Sequence, residues 1–196
     1  MENNNDTTTT TAGTLDNASQ FIMTNWSALG SIILPNVGGF ASGIYFAGQI
    51  CKGQDKAWYD NLKKPSWIAP KYAFAPAWTV LYSSIGYASY LVWEECADEP
   101  ERAIVPLSLY GGQLLLNWAW TPIFFGLKDL KLAFIEISVL SGAATATAIS
   151  FAYVNRTAGL LLVPYLAWLG YATSLSYYVW KNNPQVKEIK DDEKTK

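Results

Sequence analysis

Gly159-Leu-Leu-Leu-Val-Pro-Tyr-Leu-Ala-Trp-Leu-Gly-Tyr171 carries no charge and lies inside a longer uncharged run from 157 to 180. A helix rises about 1.5 Å per residue, so such a run crosses a hydrocarbon core of about 30 Å. A helix in a soluble bundle keeps a polar stripe toward water; this stretch has no charged face, and neither does Ile85-Gly-Tyr-Ala-Ser-Tyr-Leu-Val-Trp93. Working outward, Asp, Glu, Lys and Arg are also absent from 17–51, 72–93, 103–127 and, beyond the single Glu136, 137–155. Lipid offers the backbone no hydrogen-bond partner, so these runs predict helices, and Trp and Tyr near their ends suit the two interfaces. The expected fold is an all-α membrane protein, a five-transmembrane-helix bundle, with helices near 30–51, 73–95, 103–126, 130–154 and 158–181. Pro35, Pro106, Pro122 and Pro164 fall within or at the ends of these spans and can kink them.

Composition agrees. The 196 residues are 51% hydrophobic and 15% aromatic, and only 15% charged, against roughly 25% in soluble domains, which excludes a disordered chain or a coiled coil. The chain has no His, so imidazole metal sites, Ser-His or Cys-His nucleophile pairs and His-ligated haem are excluded. No metal and no cofactor is expected. The net charge of −2 gives no general attraction to nucleic acid.

The positions of the charges set the orientation. Two of the 14 Lys and Arg, Arg102 and Arg156, fall on the side of the N-terminus, and the other twelve fall on the side of the 52–71 loop and the C-terminus. Positive charge collects in the cytoplasm, so that loop and the C-terminus are expected to be cytosolic. Residues 1–28, with Asn3-Asn-Asn5 and the Thr7–Thr11 run, read as a disordered polar N-terminal extension. With Glu2 and Asp6 and no basic residue, the start lacks the features of a secretory signal. The membrane domain is expected over 29–183, and 184–196 form a charged tail whose lysines can touch anionic lipid. Cys51 and Cys96 end successive helices on opposite sides, too far apart to bond within one chain. Asn17, Asn25 and Asn155 open glycosylation tripeptides on the non-cytoplasmic side.

Several residues demand partners. The segment Trp58-Tyr-Asp-Asn-Leu-Lys-Lys-Pro-Ser-Trp-Ile-Ala-Pro70 is too polar to span and too aromatic for a linker. It reads either as a structured lid over the bundle mouth or as aromatic anchoring in the headgroups. On the second helix Phe74, Trp78, Tyr82, Gly86, Tyr90 and Trp93 recur every three or four residues, as do Tyr165, Trp168, Ala172 and Leu175 on the fifth. Such seams form core or face each other across a cavity for a flat apolar ligand. Gln113 and Asn117, four apart, must face a helix or a cavity. Glu136 either reaches an interface or, if buried, becomes functionally suspect. Small residues at Gly39–Gly43, Gly111-Gly112 and Ser138–Ala148 favour close helix contacts, within the bundle or in a homodimer.

The motifs Trp58-Tyr-x-x-Leu-x-Lys-Pro-Ser-Trp67, Ala75-Pro-x-Trp-x-x-Leu-Tyr82, Gly86-Tyr-x-Ser-Tyr-Leu-Val-Trp93, Leu109-Tyr-x-x-Gln-Leu-x-Leu-Asn-Trp-Ala-Trp120, Pro122-Ile-Phe-Phe-Gly126, Ser141-Gly-Ala-Ala144 and Pro164-Tyr-Leu-Ala-Trp168 together resemble the translocator protein family, also called tryptophan-rich sensory proteins or peripheral-type benzodiazepine receptors. The resemblance covers about 35–183. It implies an integral membrane protein of the mitochondrial outer membrane, with the endoplasmic reticulum or another secretory membrane as the alternative. It also implies binding of porphyrin or haem, sterols and benzodiazepine-type ligands beneath the first cytosolic loop. The family's ligand contacts map to Trp78, Asn117, Trp120, Ala172 and Leu175. Trp78 and Trp168 match tryptophans implicated in light-dependent porphyrin degradation, which would make them catalytic. Leu175, Tyr177 and Lys181 match the family's sterol-recognition pattern, with Lys181 in place of the vertebrate Arg. Ile68 replaces a loop His of vertebrate relatives, and Leu132 stands near the position of a helix-initiating Trp.

The expected function is that of a membrane receptor for tetrapyrroles and sterols, with a role in their transport or homeostasis. The alternatives are a porphyrin-degrading enzyme and a membrane scaffold. Without His, and with Met1 and Met23 outside the spans, iron ligation is not expected to drive binding, so an iron-free porphyrin is expected to bind comparably to haem.

Overall fold

The computed structural model describes residues 26–44 and 53–184. Among these every regular element is helical: α1 (Trp26–Ile44), α2 (Gly53–Asn61), α3 (Lys71–Glu95), α4 (Glu101–Thr121), α5 (Leu130–Val154), α6 (Arg156–Leu161) and α7 (Val163–Asn182). Three stretches are long and apolar enough to cross a membrane: Trp26–Ile44, Leu130–Val154 and Arg156–Asn182. Apolar side chains also cover the outside of the bundle, with Val80, Ile104, Leu115, Val139 and Leu160 all exposed, as expected where the surrounding solvent is lipid.

Among the described residues helical structure lies at each expected span, with different bounds and, in the last, a break. The first begins at Trp26, so residues 26–28 belong to α1 rather than to a disordered extension; residues 1–25 and 45–52, with Cys51 and the rest of the first expected span, lie outside the described residues, as do 185–196. The expected 103–126 helix is α-helical to Thr121 and closes in a wider π turn over Pro122–Gly126. Pro122 lacks an N–H to donate, which favours this change of winding.

The expected 158–181 helix is broken at Leu162 into α6 and α7. Pro164 opens α7 and leaves a carbonyl one turn back without its usual donor, and Ser84 of α3 donates to the Leu161 carbonyl at 2.9 Å beside the break. Asn155 caps α6 by accepting from the Ala158 N–H at 3.0 Å and donates to Glu95 at 3.2 Å. The amide of this glycosylation tripeptide is therefore part of the fold. At the opposite end Asp129 caps α5 through the Leu132 N–H at 3.0 Å, after a turn in which Lys128 adopts φ 52°.

α5 packs against both α4 and α7, and its inward residues Ile137, Leu140, Ala144, Ala148 and Phe151 form the floor of the main core. A second core cluster, built on Leu62, Phe124, Leu130, Ala133 and Val179, lies at the loop end. α1 docks on α3 and α4 through glycine. A Cβ on Gly38 would fall 2.2 Å from the Trp118 ring, and one on Gly39 2.2 Å from Tyr82. Trp118 Nε1 donates to the Pro35 carbonyl at 3.3 Å and Asn36 to Ser83 Oγ at 3.2 Å. These glycines are thus committed within the chain. Gly43, Gly111, Gly112 and Gly142 meet open space and remain available to a second copy or to lipid.

Candidate ligand-binding site

The two aromatic seams meet at the loop end of the bundle. Phe74 lies 5.7 Å from Trp168, and Trp78 lies 6.3 Å from Trp168 and 6.4 Å from Tyr165, all edge to face. Trp78 also leans on Tyr82 at 5.1 Å. Edge-to-face contact suits the negative face and positive edge of an aromatic ring. In this structure the seams therefore touch, so a ligand lying between them would have to part them. The far half of the α3 seam diverges: Gly86 abuts the α1 backbone at Ser31, and Tyr90 and Trp93 pair with each other at 6.2 Å, Trp93 remaining exposed.

Behind the rings lies a polar hub buried on three helices. Tyr82 donates to Asn117 Oδ1 at 2.5 Å, Asn117 Nδ2 donates to Tyr165 Oη at 2.7 Å, and Tyr165 donates to Gln113 Oε1 at 2.7 Å. The i, i+4 pair on α4 thus binds α3 and α7 together, as an amide in an apolar span must if its polar atoms are to be satisfied. Some buried polar atoms have no partner among the described residues: Gln113 Nε2, Trp120 Nε1, Trp168 Nε1 and both carboxyl oxygens of Glu136.

The other expected contacts separate by face. Trp120 stacks on Phe124 at 4.9 Å and 18° and packs against both core clusters. Ala172 packs on the main core and Leu175 on the loop-end cluster. Tyr177 and Lys181 turn outward, where Tyr177 rests on Phe134 at 5.3 Å and the Lys181 ammonium sits 4.5 Å from the Trp180 ring. Leu175 therefore faces the interior while Tyr177 and Lys181 share an outer surface, because two residues of helix turn through about 200° and four more bring the chain almost back into line. Ile68 is half-buried in the loop and Leu132 faces outward.

The 58–70 loop is structured and tied down. Trp58 packs on Phe124 at 5.8 Å, Tyr59 on Phe125 at 5.9 Å, and Trp67 on Tyr171 at 5.8 Å. Asn183 grips the backbone of one residue: its Oδ1 accepts from the Lys63 N–H at 2.8 Å and its Nδ2 donates to the Lys63 carbonyl at 3.1 Å. Tyr171 Oη accepts from the Ala69 N–H at 2.8 Å. Lys64 donates to the Tyr59 carbonyl and holds its ammonium 4.1 Å from the Tyr59 ring. Burial pushes the Tyr59 phenol up and pulls the Lys64 ammonium down. Two open crevices, of about 670 and 410 Å³, lie elsewhere, on the outer side of α4 between Trp93 and Leu107 and past Gly112 and Gln113. They open outward, and the first reaches the α3 seam only at its far end, Trp93.

The burial of Glu136 is the feature that reading the sequence leaves undecided. A lone carboxyl six residues into a helix can reach water or point inward, and only packing distinguishes the two. It is 8% exposed.

The model of the TspO/MBR family matches residues 31–181. The chain is 45% identical to the translocator protein of Homo sapiens over 156 residues, which cover 80% of this chain and 89% of that protein. It is 37% identical to protein CrtK of Rhodobacter capsulatus over 74% of this chain and 94% of that protein. A translocator protein homolog of Schizosaccharomyces pombe is 42% identical over 60% of this chain and 73% of its own length. With its apolar helices, tryptophan seams and matching span, this chain is an integral membrane protein belonging to the TspO/MBR family.

Proposed function

We propose that this chain is a membrane receptor for tetrapyrroles, porphyrin or haem, and for sterols, acting in their transport or homeostasis. The observation that carries the reading is the wall formed by Trp78, Tyr165 and Trp168, meeting edge to face beside the Asn117 hub at the end closed by the loop. A flat apolar ligand binds by sliding between these rings, replacing edge contacts with broad face contacts, and the surrounding apolar side chains keep water out. Trp78, Asn117, Trp120, Ala172 and Leu175 line its path. Tyr177 and Lys181, on the outer surface, serve a sterol, whose hydroxyl meets the ammonium at the interface, while Leu175 of the same pattern belongs to the interior path.

The chain spans the membrane five times, with the loop and C-terminus in the cytosol and the mitochondrial outer membrane as its place. The 25-residue α3 and 21-residue α4 support this count beside the three most apolar helices, and the lysine-rich loop side supports the orientation. The test is a titration of purified protein with protoporphyrin and with a sterol, read by tryptophan quenching with a competition control. Trp78→Ala and Leu175→Ala are expected to weaken protoporphyrin binding about tenfold, a loss of about 1.4 kcal/mol each, while the fold persists. Unchanged affinity in both variants overturns the site.

The 6.3 Å contact between Trp78 and Trp168 favours a second reading, in which these two tryptophans carry light-dependent porphyrin degradation. Illuminating the complex tests it: loss of porphyrin no faster than in free solution, or unaffected by Trp→Phe at both positions, removes the enzyme.

A further inference from the structure

Glu136 lies in the middle of α5's inward stripe, with Ala133 of the loop-end cluster on one side and Ile137 and Leu140 of the main core on the other. It is 8% exposed, and neither carboxyl oxygen has a partner among the described residues. A buried polar group without a hydrogen bond is costly, and a carboxyl has two such oxygens. Packing alone offers no reason for it, since a Leu would fill an apolar site of this size at less cost.

The neighbours show what it faces. Ser141 meets Thr173 at 3.0 Å and Phe134 meets Tyr177 at 5.3 Å. Ser141 and Phe134 both lie about 140–160° around α5 from Glu136, so the carboxyl is turned away from these α7 contacts and toward α4. On that side the α4–α5 hairpin brings the last turn of α4 against the first turns of α5, and Trp120 joins the cluster containing Ala133. Glu136 therefore stands at the junction of the two core clusters, on the side of α5 toward α4, whose last turn carries Trp120 of the proposed ligand path. Trp120 there also has a buried N–H without a partner among the described residues.

We propose that Glu136 is the polar anchor of the ligand site, accepting a hydrogen bond from an N–H of a flat aromatic ligand. The class of ligand is thereby narrowed to flat aromatic rings bearing an N–H donor at their edge, as carbazole does. Both carboxyl oxygens can accept, and the aromatic walls take the ring faces. This role for Glu136 deepens the reading of the site as a receptor for flat ligands and rests on that reading.

The test uses a matched pair of probes, carbazole and 9-methylcarbazole, which differ at the N–H. Each is titrated calorimetrically into the full-length wild type, Glu136→Leu and Glu136→Gln in detergent, with protoporphyrin as a parallel arm. The wild type is expected to prefer carbazole by about fivefold to tenfold, the effect of one hydrogen bond in an apolar site. Glu136→Leu removes the preference, and Glu136→Gln, which keeps an accepting oxygen, retains part of it. The carboxyl C=O stretch of the wild type shifts with carbazole and not with its methyl analogue, a response that a purely structural carboxyl would not give. Equal preference in wild type and Glu136→Leu, or no carbazole binding to the wild type, overturns the inference. Carbazole selectivity lost in Glu136→Leu while protoporphyrin fails to bind the wild type would sustain the anchor and sink the tetrapyrrole reading. Protoporphyrin binding with unchanged carbazole selectivity would do the reverse.

Discussion

Asn117 and Glu136 are two buried polar side chains with opposite consequences. Asn117 is satisfied by phenols on two other helices. Replacing it with Leu strands the Tyr82 hydroxyl and removes the donor to Tyr165, whose hydroxyl keeps its bond to Gln113, and the expected loss is about 1–3 kcal/mol, measured as a lowered unfolding midpoint in detergent. Glu136 has nothing to lose: Glu136→Leu is expected to raise stability by about 1–2 kcal/mol in the same assay, because an unpaired polar group gives way to packing. A stabilising substitution that weakens recognition is the mark of a residue retained for its site. At this scale the sequence is partly legible. Gln113 and Asn117 have to pair, since nothing charged surrounds them in their run, and they do. For Glu136 the sequence leaves two readings open, because its direction depends on which face of α5 meets α4 and α7. The division of Leu175 from Tyr177 and Lys181 follows from helical spacing but is concealed by a motif written as a line of letters.

At the scale of elements, glycine sets how closely the helices approach. A Cβ on Gly86 would lie 2.3 Å from the Ser31 carbonyl oxygen and 2.9 Å from the Ile32 Cα. These are backbone atoms, so no side chain can swing aside, and α1 must move away from α3. Gly86→Val is expected to cost about 2 kcal/mol or more and to speed amide exchange along α1 relative to α5, which exchange mass spectrometry reads by segment. Gly39 is visible in the sequence as half of a GxxxG, but its partner is not: the pattern predicts close approach and leaves open whether the neighbour belongs to the same chain. The helix ends are legible where chemistry marks them, as at Asp129 before α5. They are less so at Leu162, because Pro164 signals a disturbance without telling whether it bends the helix or divides it.

At the scale of the molecule, the uncharged runs make the all-helical membrane fold readable, since a helix of about 20 residues without a charge has no face suited to water. Charge and apolarity are nevertheless different signals. α3 and α4 are poor in charge yet carry Tyr, Ser, Gln, Asn and Trp, whose polar atoms lower mean hydropathy while serving the hub and the seams. The same economy extends to the chain's last helix. Asn183 holds Lys63 across 120 positions of sequence, so the 58–70 loop is anchored just after the last helix ends. Ending the chain at Asn182 is expected to raise both the association and dissociation rates of protoporphyrin by several-fold with little change in Kd, as stopped-flow quenching would measure. Whatever pulls on or clips the chain beyond Asn183 would thereby set how long the proposed ligand stays, without touching the rings that it parts.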